Sequence, residues 1–260
     1  MREHASTKGR PKDTAIDKAL MILETLNGRD RDKSLSSICS ETGLPKTTVH
    51  RVLTILEARG FVDRTQSNGF IVGRKVISLG VAAAERDSLV NAARPILREL
   101  VSLTNETVQL GVLQEMQVLY VDRMEPVDSS VRLARMPSLL AELHTSAMGK
   151  ALLAFAEPAA LNAFLDRPLT QYTDSTVIDR QQLIVELEQI RIGRVAVASQ
   201  ERYHGVTAVG SPILDNQGYA HAAISVAGPA HRMTKEKQEQ IAQILPAAAE
   251  ELSVLASHLR

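Results

Sequence analysis

Lys46, Thr47, Thr48, His50 and Arg51 fall close together, with Thr54 following, and on an α-helix they crowd the N-terminal half of one side. Cations, hydroxyls and an imidazole so placed can hydrogen-bond base edges and phosphate oxygens when the helix enters a DNA major groove. The other side of that helix is apolar. Val49, Val52, Leu53 and Leu56 recur at i, i+3, i+4 and i+7, one stripe to bury. Two outlying residues join the candidate DNA-binding set: Ser36, a candidate N-cap of the preceding helix, and Arg64, on a strand that follows.

Other chemistries lack the residue spacing they need. His144, His204, His221 and His231 are scattered without the intervals of a zinc site. Gly149-Lys150 opens a helix, but the glycine spacing of a phosphate-binding loop is missing. Ser146, Glu201 and His204 could be arranged as an acyl-transfer set, yet no G-x-S-x-G elbow or oxyanion hole accompanies them. No cofactor, metal or catalytic residue is therefore expected.

The elements that must hold the first set can be read around it. Leu35, Ile38 and Cys39 have helical spacing, Gly43 supplies a sharp turn, Pro45 suits the first turn of the next helix, and Gly60 caps its end. FVDRTQSNGFIVG then reads as a hairpin turning at Asn68-Gly69, the wing of a winged helix-turn-helix. Upstream, Thr14 and Asp17 make a variant capping box ahead of a supporting helix with Ile16, Ala19, Leu20 and Leu23 on its inner side. Two amphipathic helices with a glycine turn also occur in proteins that never touch DNA; the ordered arrival of turn, helix, cap and wing favours DNA.

Charge separates the two ends of the chain. Residues 1–75 hold 14 Lys/Arg against 9 Asp/Glu, whereas residues 76–260 hold 16 against 21, so a net charge of zero conceals a basic front half suited to phosphate. Arg2, Lys8, Arg10 and Lys12 sit among small, turn-prone residues, which predicts a basic disordered arm over residues 1–12. The DNA-binding domain is expected over 13–75, a linker helix over 76–90, and a second domain over 91–260. With no apolar run of membrane-spanning length, no signal peptide and one cysteine, Cys39, a cytoplasmic, disulfide-free protein is expected. An aromatic content of 3% without Trp argues against a stacking platform for single strands.

Residues 76–260 predict an α+β fold. Two helices run through Val76 to Arg86 and from about Leu89 through Leu100; strands follow at TVQLGVLQ, QVLYVDR and VRLAR, then helices at SAMGKALLAFA, after Pro158, and over DRQQLIVELEQIR. Strands return at VAVAS, GVTAVGSPILD and YAHAAISVAG before a closing helix from Thr234 to about His258. The pattern suggests an antiparallel sheet with its helices segregated onto one side, able to cup a small molecule.

Three passages, TGLPKTTVHRVLTILEARGFV, LHTSAMGKALLAF and AAISVAGPAHRMT, in that order and spacing, resemble the IclR-type bacterial transcriptional regulators over about residues 14–258. That resemblance implies a winged helix-turn-helix, a helical linker, a GAF-like C-terminal domain binding a small organic metabolite, a palindromic double-stranded operator beside catabolic genes, and homodimers that commonly pair into tetramers. It also implies effector-binding positions: Ser146, Ala147, Met148, Ala198, Ala208, Ser225 and Ala227. Ala198 stands where the family commonly has Asp, Ala208 where Cys is common, and Ala227 where a second Ser often sits. The expected pocket is mainly apolar, with Ser146 and Ser225 as orienting hydroxyls, and favours a larger or less polar effector than a tiny dicarboxylate. A reading from a different class is an enzyme or metabolite scavenger carrying a DNA-binding head.

Overall fold

The structure, a computed structural model, describes residues 14–26, 32–86, 88–127 and 139–258. The basic arm and the VRLAR strand fall outside them. The chain divides into two compact units within one helix, between Ala83 and Ala84.

The first unit opens with α1 (Ala15–Leu26), whose capping box forms as Thr14 and Asp17 exchange backbone and hydroxyl hydrogen bonds at 2.7–3.2 Å. Then come α2 (Leu35–Thr42), α3 (Lys46–Ala58), the hairpin β1 (Val62–Arg64) and β2 (Phe70–Val72), and α4 (Arg74–Arg86). The α1 stripe differs from expectation: Ile22 and Leu26 enter the core, while Ile16 and Leu20 are 72% and 51% exposed. Ser34, not Ser36, caps α2, accepting from the Ser37 amide at 3.1 Å; Ser36 sits in the first turn with its hydroxyl 2.8 Å from that of Ser34. Gly43 takes φ +68° and Gly60 φ +75°, a region where a side chain would strain. At the wing tip Asn68 is left-handed, and a Cβ on Gly69 would lie 1.5 Å from the Asp32 carboxylate, which also accepts from Thr65 and Ser67.

The second unit comprises α5 (Ser88–Thr104), β3 (Thr107–Gln114), β4 (Gln117–Met124), β5 (Leu140–Glu142), a 3₁₀ turn (Leu143–Thr145), α6 (Ala147–Ala154), α7 (Pro158–Leu165), α8 (Arg180–Gly193), β6 (Ala196–Ser199), β7 (Val206–Leu214), β8 (Ala220–Pro229) and α9 (Lys235–His258). Its strands form one antiparallel sheet in the order β5-β4-β3-β8-β7-β6. Val90, expected in the linker, already belongs to the core of this unit.

Helices cover both faces of the sheet, which corrects the expectation of a single covered side. Leu97 and Leu100 of α5 and Ile241, Leu245 and Leu252 of α9 pack on Val108, Leu110, Val209, Ile224 and Val226; Met148, Leu152, Leu153 and Leu187 belong to a second core with Val118, Ala196 and Ala223. The signal was present in β8, an almost unbroken apolar run with no polar alternation, as a strand buried on both faces must be.

Glu106, 1% exposed, ties β3 to the start of α9: Arg232 donates to both of its oxygens at 2.9 and 2.6 Å, and Lys237 donates at 2.8 Å. Burial alone would raise its pKa; the two cations outweigh burial and hold it below the ordinary glutamate value. A carboxylate depressed in the fold contributes stability above its unfolded pKa and loses it as the pH falls through the folded value. Urea titrations should therefore find Glu106→Gln less stable at pH 7 by on the order of 2 kcal/mol, with the difference from wild type shrinking below about pH 4.

Candidate functional site

Each unit carries one candidate surface. On α3, Lys46, Thr47, His50, Arg51 and Thr54 are exposed and Thr48 is half-buried, while Val49, Val52, Leu53 and Leu56 are packed inside. The first turn of α3 contains no acidic side chain and Pro45 provides no side-chain cap, so amides at the helix start remain open to an anion. Arg64 is exposed but engaged: its Nε donates to Glu57 at 3.2 Å and its guanidinium lies 5.0 Å from the centre of the Phe70 ring. A role on the wing would compete with both contacts.

In the second unit the carried-over positions Ser146, Ala147, Met148, Ala198, Ala208, Ser225 and Ala227 all line one cavity of about 360 Å³. Strand register explains the convergence of residues so far apart in sequence. Ala198, Ala208 and Ala227 are cross-strand partners in a single row over β6, β7 and β8; two residues along, on the same face, Gly210 pairs with Ser225, Ser225 with Gln109, and Gln109 with Arg123. Such small side chains let α6 approach closely. A Cβ on Gly210 would lie 2.7 Å from the Ala147 backbone, and one on Gly111 3.1 Å from the Met148 sulfur. Ser146 lines the cavity and also caps α6, its hydroxyl accepting from the Gly149 amide at 3.1 Å.

The wall is also less apolar than expected. Gln109, Tyr120, Arg123, Thr145, Glu201, Arg202, Tyr203 and His204 complete much of the lining, and sequence reasoning missed them as a group. Their signal was the run Glu-Arg-Tyr-His between two strands, which has no period to place it. The loop is fixed from outside: Thr173 donates to the Gln200 carbonyl at 2.7 Å, and Thr176 to that of Glu201 at 2.6 Å. Below it, Lys150 of α6, 2% exposed, sits between Glu201 at 2.8 Å and Glu186 at 3.0 Å. Burial pushes the Glu201 carboxyl up despite Lys150, and burial pushes the Tyr120 phenol up to about 12, so Tyr120 stays a neutral donor at physiological pH. His144, just ahead of α6, is kept neutral by burial and donates from Nε2 to the Thr170 carbonyl at 3.0 Å.

No group of three or more His, Cys, Asp or Glu among the described residues could hold a metal, and no described helix is long and apolar enough to cross a membrane. Ser146, Glu201 and His204 all border the cavity; Ser146 Oγ accepts from the Gly149 amide, and Glu201 Oε1 accepts from Lys150 while its Oε2 has no partner.

A winged helix-turn-helix followed by a pocketed α+β domain defines a DNA-binding transcriptional regulator. The model of the IclR helix-turn-helix domain matches residues 15–66, and that of the bacterial transcriptional regulator IclR C-terminal region matches residues 81–254, so the chain belongs to the IclR family. The HTH-type transcriptional regulator BhcR of Paracoccus denitrificans is 36% identical over 241 residues, 92% of this chain and 86% of that one. The HTH-type transcriptional repressor AllR of Escherichia coli is 30% identical over 92% of this chain and 89% of its own. Among solved structures, an IclR transcriptional regulator from Alicyclobacillus acidocaldarius superposes with a TM-score of 0.84 at 26% identity, covering 94% of this chain and 98% of its own. An IclR homolog from Microbacterium hydrocarbonoxydans, complexed with 4-hydroxybenzoate, gives 0.75 at 25% identity over 93% and 98%. With relatives named as transcriptional regulators, the enzyme reading falls.

The close seat of α6 yields a direct test. Gly210→Ala should destabilise the protein by roughly 1–3 kcal/mol, because the added methyl meets main-chain atoms that have nowhere to move; an unchanged denaturation midpoint would mean the helix does not rest on the sheet there.

Proposed function

We propose that the protein is a ligand-gated regulator of a catabolic operon, acting in the cytoplasm, with a small organic metabolite in the cavity of the second unit setting the affinity or activity of the first on DNA. The observation that carries this reading is that seven positions, at the start of α6 and on β6, β7 and β8, line one part-open, small-residue cavity in a chain whose other unit is a helix-turn-helix. A volume of about 360 Å³ suits a compact metabolite, at the lower end of the roughly 300–1,000 Å³ of ligand pockets. The complex of a family member with 4-hydroxybenzoate supports an organic acid or aromatic effector. Whether the metabolite raises or lowers operator occupancy follows from which DNA-binding state it prefers.

DNA reading falls to Lys46, Thr47, His50 and Arg51 on the exposed face of α3, with Thr48 at its margin, Ser36 on α2 and Arg64 on the wing in supporting places. The operator is double-stranded and palindromic, read by a homodimer that pairs further into a tetramer. Support for self-association comes from large apolar side chains left exposed on the first unit: Ile16 and Leu20 on α1, and Ile77 and Leu79 on α4. Two half-sites also supply the base contacts that one small module lacks.

Arg51→Ala should weaken operator binding by about 1–3 kcal/mol and relax sequence preference at one base position. Anisotropy titrations at fixed salt would check this, and unchanged dissociation constants for both Arg51→Ala and Lys46→Ala would remove α3 from the groove. Footprints should cover two related half-sites.

Ala208→Phe should fill the cavity and abolish the metabolite-induced shift while the protein still binds its operator, because overfilling costs roughly 1–3 kcal/mol where no space remains. Calorimetry returning wild-type affinity for the metabolite would displace the effector from this cavity.

A further inference from the structure

The cavity is lined by two arginines, and they are not equivalent. Arg123 is paired with Glu125 at 2.9 Å. Arg202 forms no ion pair with any described residue, and its Nη1 is buried without a hydrogen-bond partner. Its other contacts hold it in place without neutralising it: Nη2 reaches the Leu140 carbonyl at 3.4 Å, and the guanidinium lies 4.4 Å from the Tyr172 ring centre and 5.7 Å from that of Tyr203. Burial works against this charge, and the two phenols outweigh it, so the group stays protonated. A charge withdrawn from water with no counter-ion is costly, and a ligand that supplies the counter-ion removes the cost.

Of the other charges beside the cavity, Glu201 meets Lys150 through Oε1 and leaves Oε2 buried without a partner, and the nearby Glu186 is partly open to solvent. The rest of the wall is the alanines, Met148, Val206 and two tyrosines, with Gln109, Thr145, Ser146, His204 and Ser225 supplying polar groups. Among the described residues Arg202 is the cation on this wall that has no counter-ion in the protein, and a single anionic group would supply one.

We infer that Arg202 is the specificity-determining residue of the cavity, and that it selects a monoanion, one carboxylate on an apolar aromatic or aliphatic body, over neutral and dianionic molecules. This rests on the cavity being the effector site. The second carboxylate of a dianion would lie against alanines or against Glu201, with no cation free to meet it. Arginine suits the task because its planar fork presents two parallel donors to a carboxylate, which a lysine in the same place would not.

The test is calorimetry on the full-length protein with two matched series, 4-hydroxybenzoate, 4-hydroxybenzamide and terephthalate, and hexanoate, hexanamide and adipate. In at least one series the monocarboxylate should bind at least roughly tenfold more tightly than its amide and its dianion, a difference of about 1.4 kcal/mol. Arg202→Met should erase that preference, and Arg202→Lys should restore part of it. The wild-type series stands even where a variant does not fold. Equal binding of amide and monocarboxylate, equal binding of the dianion, an unaltered preference in folded Arg202→Met, or no binding by either monocarboxylate at about 10 mM would each overturn the assignment. Failure of the gating reading looks different: monocarboxylate binding would track Arg202 yet leave operator affinity unmoved. Conversely, a neutral molecule that binds, is blocked by Ala208→Phe and shifts operator affinity would leave gating intact and remove Arg202.

Discussion

Helix α6 lies so close to the sheet at Gly210 that no side chain fits there, and most of the second unit follows from that contact. All eight of its residues are buried, so it cannot present a polar face to water, and its one charge, on Lys150, must be met inside the protein. Glu201 and Glu186 meet it. Removing one partner of such a pair leaves a bare charge in a poorly solvating interior, at a cost of roughly 3–5 kcal/mol. The pair therefore fixes the loop after β6 relative to α6, and that loop brings Arg202, Tyr203 and His204 to the cavity. Tight packing at Gly210 and open space at Ala208 are two consequences of the same choice, small residues in successive rows of one sheet face.

The first unit obeys the opposite requirement. Among the described residues its core is a compact set of ten buried side chains from α1, α2, the turn at Leu44, α3 and the wing, and its outer surface is what that core leaves outside. Turn geometry does the positioning there: left-handed glycines at 43 and 60 bracket α3, and Asp32 clasps the wing tip where Gly69 leaves room for its carboxylate. Helix α3 is held by its inner stripe, and among its outer side chains Thr54 bonds back to the His50 carbonyl and Glu57 pairs with Arg64 of the wing. Outer positions without such obligations can change their residues, and hence the preferred base sequence, without loss of fold.

What could be read from the sequence tracks periodicity. Strands β3, β7 and β8 and helices α3, α6 and α9 come within a residue or two of expectation because each carries a strong apolar repeat or a sharp cap. Ile16 and Leu20 misled because their spacing is as regular as that of the residues facing inward; a repeat shows that two apolar surfaces exist, not which one the domain covers. Strand β5 has only three residues, too few to show a period. The cavity was legible through family positions on its floor, whereas Arg202 and Glu201 lie in an aperiodic loop whose placement depends on hydrogen bonds from Thr173 and Thr176, some 25 positions earlier. Ser146 illustrates a further limit. A serine before a helix reads equally well as a cap or as a ligand contact, and only the 3.1 Å bond to the Gly149 amide identifies the cap.

These contacts bear on how a bound molecule could be felt beyond its cavity. A ligand shifts an equilibrium only by the difference in its affinity for the two states, and moving a population from 1:99 to 99:1 requires about 5.5 kcal/mol of difference. A wall of alanines gives little differential energy, since apolar contact changes slowly with small displacements. A charged group is a steeper sensor: the hydrogen bond to a guanidinium decays within about an ångström of misplacement, and more sharply where water is excluded. Arg202 is held between two tyrosines on a loop whose preceding residue is ion-paired to the middle of α6. A state that shifted α6 against the sheet would shift this loop with it, so under the proposed reading Arg202 is placed to make the affinity for a bound anion depend on the conformation of the protein.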